Sequence, residues 1–258
     1  MKHFKLMAAV LCFAAWFSAS AEPVGQRVVL FDSMRKGETP AAPSPFYGNG
    51  PSLKFTANGL LCGKGHTAPV LKIPAKTWDW ADGAVAFTLT PIDFDSASLV
   101  KEFVLLNSHL VNHNKPERGF RSGDTCMLLR PQRPDPTKQE VLMLQGQNGK
   151  MTERRAYIAT ARSRTGFFVK NQPARIALIW QNGGEASVYL NGVKIASGKP
   201  FYFPGPDKLR HVNLLKGSAR QGWGVLDGTA CMTDLLIVKG STSFEELQQA
   251  EQTAAGKK

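Results

Sequence analysis

The sequence is poor in the features that mark several large protein classes. Only 20% of the 258 residues are charged and 43% are hydrophobic, which argues against a disordered chain. Cysteine occurs four times, and a chain of this length can bury a sizeable core without disulfide staples. No apolar run approaches the roughly 20 residues that a transmembrane helix needs. These absences leave a globular protein of one large domain or two small ones.

The first 21 residues have the pattern of a secretory signal peptide. Lys2 and Lys5 precede an apolar run at residues 6–17, and residues 19–21 read Ala-Ser-Ala, a small-x-small cleavage site. A short buried helix of the mature fold is the alternative. The full chain has a net charge of +12, and removal of these two lysines with no acidic residue leaves +10. We therefore expect a basic protein exported to the periplasm or the extracellular space.

The disulfide pairing and the metal content stay open at the level of sequence. Three cysteines remain after residues 1–21, namely Cys62, Cys126 and Cys231. One disulfide with one buried thiol and three free buried thiols both suit an oxidising compartment. Their spacing matches no zinc pattern. No cofactor is predicted, although calcium binding is left open.

Short apolar runs separated by turn residues predict an all-β fold. The runs begin at Arg27, Leu53, Val70, Ala84, Lys101, Thr125, Glu140, Ala156, Ala174, Ser187, Val193, Val212 and Cys231. Many alternate with period two, so that Val85, Phe87 and Leu89 share one face of their strand. The one helix predicted covers residues 243–252, where Ser243 and Glu246 are placed for a capping box. Together these elements predict a two-sheet antiparallel jelly-roll sandwich with a short C-terminal helix.

Turn residues and composition divide the chain into four segments. Residues 1–21 form the signal peptide, and residues 22–51 a strand followed by a Pro/Gly-rich linking segment. Residues 52–252 form the sandwich domain, and residues 253–258 a flexible tail. Within the domain, Asn191-Gly192 is the dipeptide that a type I′ turn favours. This turn and the preceding QNGGE segment predict three consecutive antiparallel strands.

Three segments occur in an order and spacing that resemble a known family. They are DGAVAFTLTP (82–91), PARIALIWQNGGEASVYLNGVKIA (173–196) and GTACMTDLLIVKGSTSFEEL (228–247). Together they resemble the laminin-G-like, concanavalin A-like jelly rolls of secreted proteins. The family's first core tryptophan is replaced here at Pro173 or Ala174, and Thr233-Asp234 supplies one of two usual acidic residues. The resemblance implies two antiparallel sheets, one concave, that bind glycans, proteins or calcium, with enzymes in some branches.

Known catalytic motifs are absent from the sequence. It has no Glu-x-Asp-x-x-Glu strand motif, no Gly-x-Ser-x-Gly elbow and no His-Glu-x-x-His. Asp93 and Asp95 share a face of an extended segment but lack a third acid, which is typical of a solvated loop, with a cation site as the alternative. His109 and His113 are four residues apart in a segment whose Asn, Lys and Pro residues predict a loop. We therefore predict no catalytic residue.

Positive charge is concentrated between Lys115 and Arg175, where thirteen basic residues accompany five acidic ones. The candidate glycan-binding arginines are Arg118, Arg121, Arg154, Arg162 and Arg164. The last three have the same parity and share one face if their strand is unbroken. Guanidinium groups pair bidentately with carboxylate and sulfate, so such a face suits anionic glycans. A solvated face made basic for solubility is the alternative.

Two tryptophans complete the candidate site. Trp80 and Trp223 are predicted to stack against sugar rings, with burial in the core as the alternative for each. Trp78 lies two residues from Trp80 and would face the same way on an extended chain. Trp180 is predicted to belong to the core.

The residues favour an exported, non-catalytic carbohydrate-binding or adhesive protein, with anionic glycans as partners. One alternative is a polysaccharide lyase or glycoside hydrolase on the same fold, for which Tyr157, His109 and Arg162 are available. Another is a structural protein-interaction module. Nucleic acid would give the same charge signature, but the signal peptide and the lack of a nucleic-acid motif argue against it. Ligand identity and oligomeric state are left open.

Overall fold

A computed structural model describes residues 22–38, 46–95, 103–110, 126–131, 139–145, 156–163, 167–199, 201–203, 205, 207, 209–215 and 228–256. These residues form two antiparallel β-sheets and one α-helix, which confirms the predicted sandwich. The eight-stranded sheet contains β1 (Val28–Asp32), β2 (Lys54–Thr56), β3 (Gly59–Gly63), β5 (Gly83–Pro91), β10 (Ala174–Trp180), β11 (Ala186–Leu190), β12 (Val193–Gly198) and β14 (Thr229–Lys239). The six-stranded sheet contains β4 (Val70–Leu71), β6 (Phe103–Leu110), β7 (Cys126–Pro131), β8 (Gln139–Gln145), β9 (Ala156–Ser163) and β13 (Leu209–Leu214).

The chain passes repeatedly from one sheet to the other. The strand order is β12-β11-β10-β5-β14-β3-β2 in the first sheet, with β1 also paired to β14, and β4-β13-β6-β7-β8-β9 in the second. Every predicted apolar run coincides with strand. The run that begins at Leu53 folds into the two strands β2 and β3, because Gly59 has φ of 127° at the turn between them. Such positive φ is accessible to glycine without steric cost.

The inter-sheet core follows the alternation read from the sequence. Val85, Phe87 and Leu89 of β5 lie in the cluster between the sheets, together with Ile176 and Leu178 of β10. Ala84 and Ala86 of β5 and Ala177 and Ile179 of β10, at alternate positions, belong to a second cluster on the opposite face of the eight-stranded sheet. This sheet therefore buries apolar side chains on both of its faces.

The helix α1 (Phe244–Ala255) covers that second face. Leu247 and Ala250 of the helix join the apolar cluster with Ala84 and Ala86 of β5. The helix continues three residues beyond the predicted end, so residues 253–255 of the predicted tail are helical. Among the described residues, no helix has the length and apolarity to cross a bilayer.

The start of α1 is fixed by a capping box and by a buried arginine. The Glu246 N–H donates to Ser243 Oγ at 3.1 Å, and the Ser243 N–H donates to Glu246 Oε2 at 2.9 Å. Both bonds satisfy N–H groups that the helix leaves unpaired, as predicted. Arg27, only 7% exposed, donates to Glu246 Oε1 at 2.9 Å and also to the Ser241 carbonyl. The N-terminal segment thus holds the helix on the sheet.

The predicted hairpin between β11 and β12 is confirmed. Asn191 and Gly192 both have positive φ, 49° and 84°, as a type I′ turn requires. β10, β11 and β12 form consecutive antiparallel pairs. The Asn191 side chain also accepts a hydrogen bond from the Arg175 N–H at 2.8 Å, which ties the turn to the start of β10. Asn191 therefore serves the fold of this hairpin.

Candidate functional site

The two sheets differ in what covers their outer faces. Helix α1 and Val24 pack on the outer face of the eight-stranded sheet and cover it with apolar contacts. Within the described part of the chain, no helix or strand packs on the outer face of the six-stranded sheet. This sheet also contains β7, β8 and β9, which come from the basic segment between Lys115 and Arg175. Because three of its strands come from this basic segment, we take the outer face of the six-stranded sheet as the candidate site.

A polar pair lies across the centre of this sheet. Asn107 of β6 pairs in register with Asn213 of β13. The neighbouring pair, Leu106 and Leu214, belongs to the inter-sheet core, so the two asparagines face the other way. Both are buried, with exposed fractions of 1% for Asn107 and 7% for Asn213.

The side-chain carbonyl of Asn107 has an unmet hydrogen-bonding capacity. Among the described residues, no donor reaches Asn107 Oδ1. A buried polar group left without a partner costs about 1–3 kcal/mol, so an isolated case calls for an explanation. A hydroxyl or an amide N–H is the kind of donor that would satisfy this carbonyl.

A histidine of β13 continues this polar face, and its register partner on β6 is also a histidine. His211 of β13, which is half-buried, pairs in register with His109 of β6. Residues 107–109 read Asn-Ser-His, and the strand opposite reads Asn-Val-His from 213 back to 211. His109 therefore lies in a strand, contrary to the predicted loop, and His113 lies outside the described residues. In the register of β6 and β13, asparagine is therefore opposite asparagine and histidine opposite histidine.

A β-bulge places an arginine beside the histidine pair. Leu209 pairs with Leu110, and His211 pairs with His109, so Arg210 is an extra residue on β13. Its side chain is exposed. In the described part of the chain, no acidic group forms an ion pair with it. Bulges of this kind redirect side chains and are common beside functional sites.

The predicted arginines fall largely outside the described residues. Arg118, Arg121, Arg154 and Arg164 all lie there, as does Trp223. Arg162 lies on β9, opposite Glu140 of β8, which in turn is opposite Arg130 of β7. The register therefore inserts one acidic residue between two arginines.

Arg154, Arg162 and Arg164 were expected to share one face only if their strand is unbroken, and β9 contains a bulge. Tyr157 pairs with Leu144, and Ala159 pairs with Met143, so β9 carries one extra residue between them. This bulge breaks the alternation that was expected to run from Arg154 to Arg164. The predicted contacts of these arginines with a glycan stay predictions.

Trp80 is a core residue and not a surface platform. It is 2% exposed, and its ring stacks on Trp78, with centroids 4.1 Å apart, and on Phe203, at 5.4 Å. Its carbonyl accepts a hydrogen bond from Trp180 Nε1 at 3.0 Å. Trp80 has φ of 67°, so the chain is not extended there, and this turn directs both rings inward. No ring face is left for a sugar, and Trp80 is not among the contacts proposed below.

The two aspartates that follow β5 lie in a loop. The strand ends at Pro91, and Asp93 Oδ1 accepts a hydrogen bond from the Thr229 N–H at 2.6 Å. This hydrogen bond is the main cause that lowers the pKa of Asp93. Asp93 therefore fixes the loop to the start of β14. Across the described ranges, no three His, Cys, Asp or Glu side chains cluster as metal ligands, and calcium binding stays open.

The cysteines of the eight-stranded sheet are structural thiols. Cys62 pairs in register with Ala230, whereas Cys231 pairs with Leu61. Adjacent residues of a strand face opposite ways, so the two thiols lie on opposite faces of the sheet, and both are free. Burial raises the pKa of each thiol, which disfavours the reactive thiolate. The pairing of Cys126 stays open.

Sequence reasoning missed Asn107, Asn213 and Arg210. A signal was present, because Asn107 and His109 alternate with apolar or small neighbours, as do His211 and Asn213. Polar residues at alternate positions of a strand mark a polar face. What the sequence could not supply was the pairing of β6 with β13, about a hundred residues away.

Comparison with known proteins identifies the fold and no family. No family model matches the chain, and no curated protein matches it. Among solved structures, the receptor-binding domain of the botulinum neurotoxin C/D mosaic serotype has a TM-score of 0.54 at 12% identity, covering 89% of this chain and 52% of that one.

Two further solved structures are similar to this chain over a comparable share of its length. The ligand-binding domain of botulinum neurotoxin serotype D, in complex with N-acetylneuraminic acid, has a TM-score of 0.55 at 12% identity over 89% of this chain and 51% of that one. The binding domain of Paraclostridial Mosquitocidal Protein 1 has a TM-score of 0.52 at 11% identity over 90% of this chain and 53% of that one. The chain thus spans about half the length of these domains. At such low identity the likeness shows a β-sandwich and leaves the laminin-G-like resemblance a prediction.

Proposed function

We propose that this protein is an exported, non-catalytic glycan-binding module whose binding face is the outer face of the six-stranded sheet. The observation that carries the proposal is the Asn107–Asn213 pair with its unpartnered, buried carbonyl. A side-chain amide both donates and accepts hydrogen bonds, as sugar hydroxyls do. The imidazole of His211 adds a further polar group on the same strand. Such a row of amide and imidazole groups suits a hydroxyl-rich ligand.

Charge supports anionic glycans as the ligand class. The chain carries a net charge of +12, and Arg210 adds an exposed guanidinium beside the polar pairs. Cationic surfaces attract acidic polymers and pair with their carboxylate or sulfate groups. One solved neighbour of the same fold holds N-acetylneuraminic acid, an acidic sugar, which is consistent with this class.

A glycan array at low ionic strength tests the proposal. Wild-type protein without residues 1–21 should bind a subset of acidic glycans. The affinity should fall between about 50 and 300 mM salt, since the Debye length shrinks and screens exposed charges. An array without hits at low salt would contradict the proposal and leave a protein-interaction module as the better account. A matched variant, Asn213→Leu, should fold and lose binding.

A polysaccharide lyase on the same face is the second candidate. It is favoured by one observation, the presence of His109, Tyr157 and Arg162 in the same sheet. β6 and β9 are separated by two strands, which puts their backbones about 14 Å apart at roughly 4.8 Å per strand. Proton transfer needs groups within hydrogen-bond reach of one sugar, and this spacing favours binding over catalysis. Release of unsaturated sugars from an acidic polysaccharide would establish the lyase instead.

A further inference from the structure

We propose that Arg210 reads a sugar carboxylate while Asn107 reads a hydroxyl, so the ligand class is glycans built from sugar acids. This inference rests on the proposed function and names its ligand. Its basis is the β13 bulge, which makes Arg210 an extra residue opposite β6, two positions before Val212, where the pairing with β4 begins. A bulge inside a sheet gives up regular pairing and re-aims one side chain. Here that side chain is the exposed guanidinium.

The charge pattern of the sheet isolates this arginine. Of the side chains described on β4, β6 and β13, Arg210 is the only Lys, Arg, Asp or Glu. Lys194, by contrast, is paired with Glu185 at 3.1 Å on the other sheet. Within the described part of the chain, no acidic side chain forms an ion pair with Arg210, and the arginine is exposed.

The spacing of these groups suits one extended ligand. Arg210 and Asn213 are three residues apart on β13, about 10 Å at roughly 3.3 Å per residue. His211 lies between them, and Asn107 lies directly across from Asn213. This distance along the strand matches a ligand that extends over more than one sugar residue.

Arg210 and Asn107 differ in the ligand groups that they can bind. A guanidinium presents paired N–H donors that match the two oxygens of a planar carboxylate. Asn107 Oδ1 is an acceptor, and an ionised carboxylate or sulfate has no proton to donate to it. A simple anion therefore satisfies Arg210 but leaves Asn107 unpartnered. A sugar acid supplies both the carboxylate and the hydroxyl donor.

The test uses matched ligands that differ only in the carboxylate. Polygalacturonate, alginate and polysialic acid are each compared with their carboxyl-reduced forms by calorimetry at low salt, using the chain without residues 1–21. Wild-type protein should bind at least one native polymer about tenfold or more above its reduced form. Arg210→Ala should abolish this preference and leave binding of the reduced form within about twofold. Arg210→Lys keeps the positive charge but loses the paired N–H donors of the guanidinium, so it should retain only part of the preference for the native polymer.

Two further variants separate the roles. Lys170→Ala removes an exposed positive charge from a loop outside the six-stranded sheet and should change each affinity less than about twofold. Asn107→Leu replaces the buried amide with an apolar group of similar volume and should weaken both polymer forms equally. Unchanged melting temperatures across the set would show that each variant is folded.

The outcomes distinguish this inference from the proposed function. If Arg210→Ala behaves like Lys170→Ala, the inference is overturned while glycan binding stands. Binding of sulfated or neutral glycans on the array, with no preference for any carboxylate polymer, likewise overturns the inference alone. Failure of wild-type protein to bind any glycan overturns both.

Discussion

The bond between Tyr47 and Asp32 should be a measurable tie between the two sheets. Asp32 ends β1 of the eight-stranded sheet, and Tyr47 forms a bridge with Leu71 of β4 in the six-stranded sheet. The Tyr47 hydroxyl donates to Asp32 Oδ2 at 2.9 Å, and both residues are buried. Burial, with the Asp32 charge and hydrogen bond as further causes, raises the pKa of Tyr47, so the hydroxyl stays a protonated donor.

Tyr47→Phe removes this donor and keeps the ring. A hydrogen bond to a charged group contributes about 1.5–3 kcal/mol, so the free energy of unfolding should fall by about that amount. For a chain of this size the melting temperature should fall by about 3–12 °C. Urea unfolding followed by tryptophan fluorescence measures the free energy of unfolding, and scanning calorimetry measures the melting temperature.

A double-mutant cycle with Asp32→Asn separates the bond from other effects of the ring. The two single losses should exceed the loss in the double variant by about 1 kcal/mol or more. A loss below about 0.5 kcal/mol in Tyr47→Phe, or strict additivity in the cycle, would refute the role of this bond as an inter-sheet tie.

Two further predictions concern the helix and the loop after β5. Arg27→Ala should lower the free energy of unfolding by about 1–3 kcal/mol and speed hydrogen exchange in α1, because Glu246 loses its buried partner. Unchanged hydrogen exchange would contradict the conclusion that Arg27 holds α1 on the sheet. Asp93→Asn should cost less than about 1 kcal/mol at pH 7, because Asp93 is exposed and screened. The folded-state pKa of Asp93 is lowered, so its contribution exists above its unfolded pKa near 3.9 and disappears as pH falls through the folded value. The difference from wild type should therefore be constant above about pH 5 and vanish in acid. A loss that does not depend on pH would contradict the bond to Thr229.

Local patterns predicted the parts of the fold that depend on local chemistry. Alternation in β5 identified the core face of Val85 and Phe87, because period-two exposure is set within one strand. Asn191-Gly192 predicted its turn, because both residues need positive φ and few other pairs accept it. The capping box at Ser243 was equally local, since its partner is three residues away.

Features that depend on distant neighbours were not predictable from the same patterns. Trp80 is buried because Trp180 and Phe203, at least a hundred residues away in sequence, complete its aromatic cluster. The bulge at Arg210 and the facing of Asn107 with Asn213 arise only once β13 pairs with β6. Sequence alone indicated a basic, exported sandwich and located the charge, but not the polar pair on which the proposed site depends.

Side-chain amide signals of Asn107 and Asn213 give the most direct test of the binding face. ¹⁵N-labelled protein is titrated with the tightest acidic glycan from the array, and the two asparagines are assigned through Asn107→Leu and Asn213→Leu. The account predicts saturable shifts of both side-chain amides, with the Asn191 signal at the β11–β12 turn unmoved. Shifts confined to Asn191 and other residues of the eight-stranded sheet, with Asn107 and Asn213 unmoved at saturation, would contradict it.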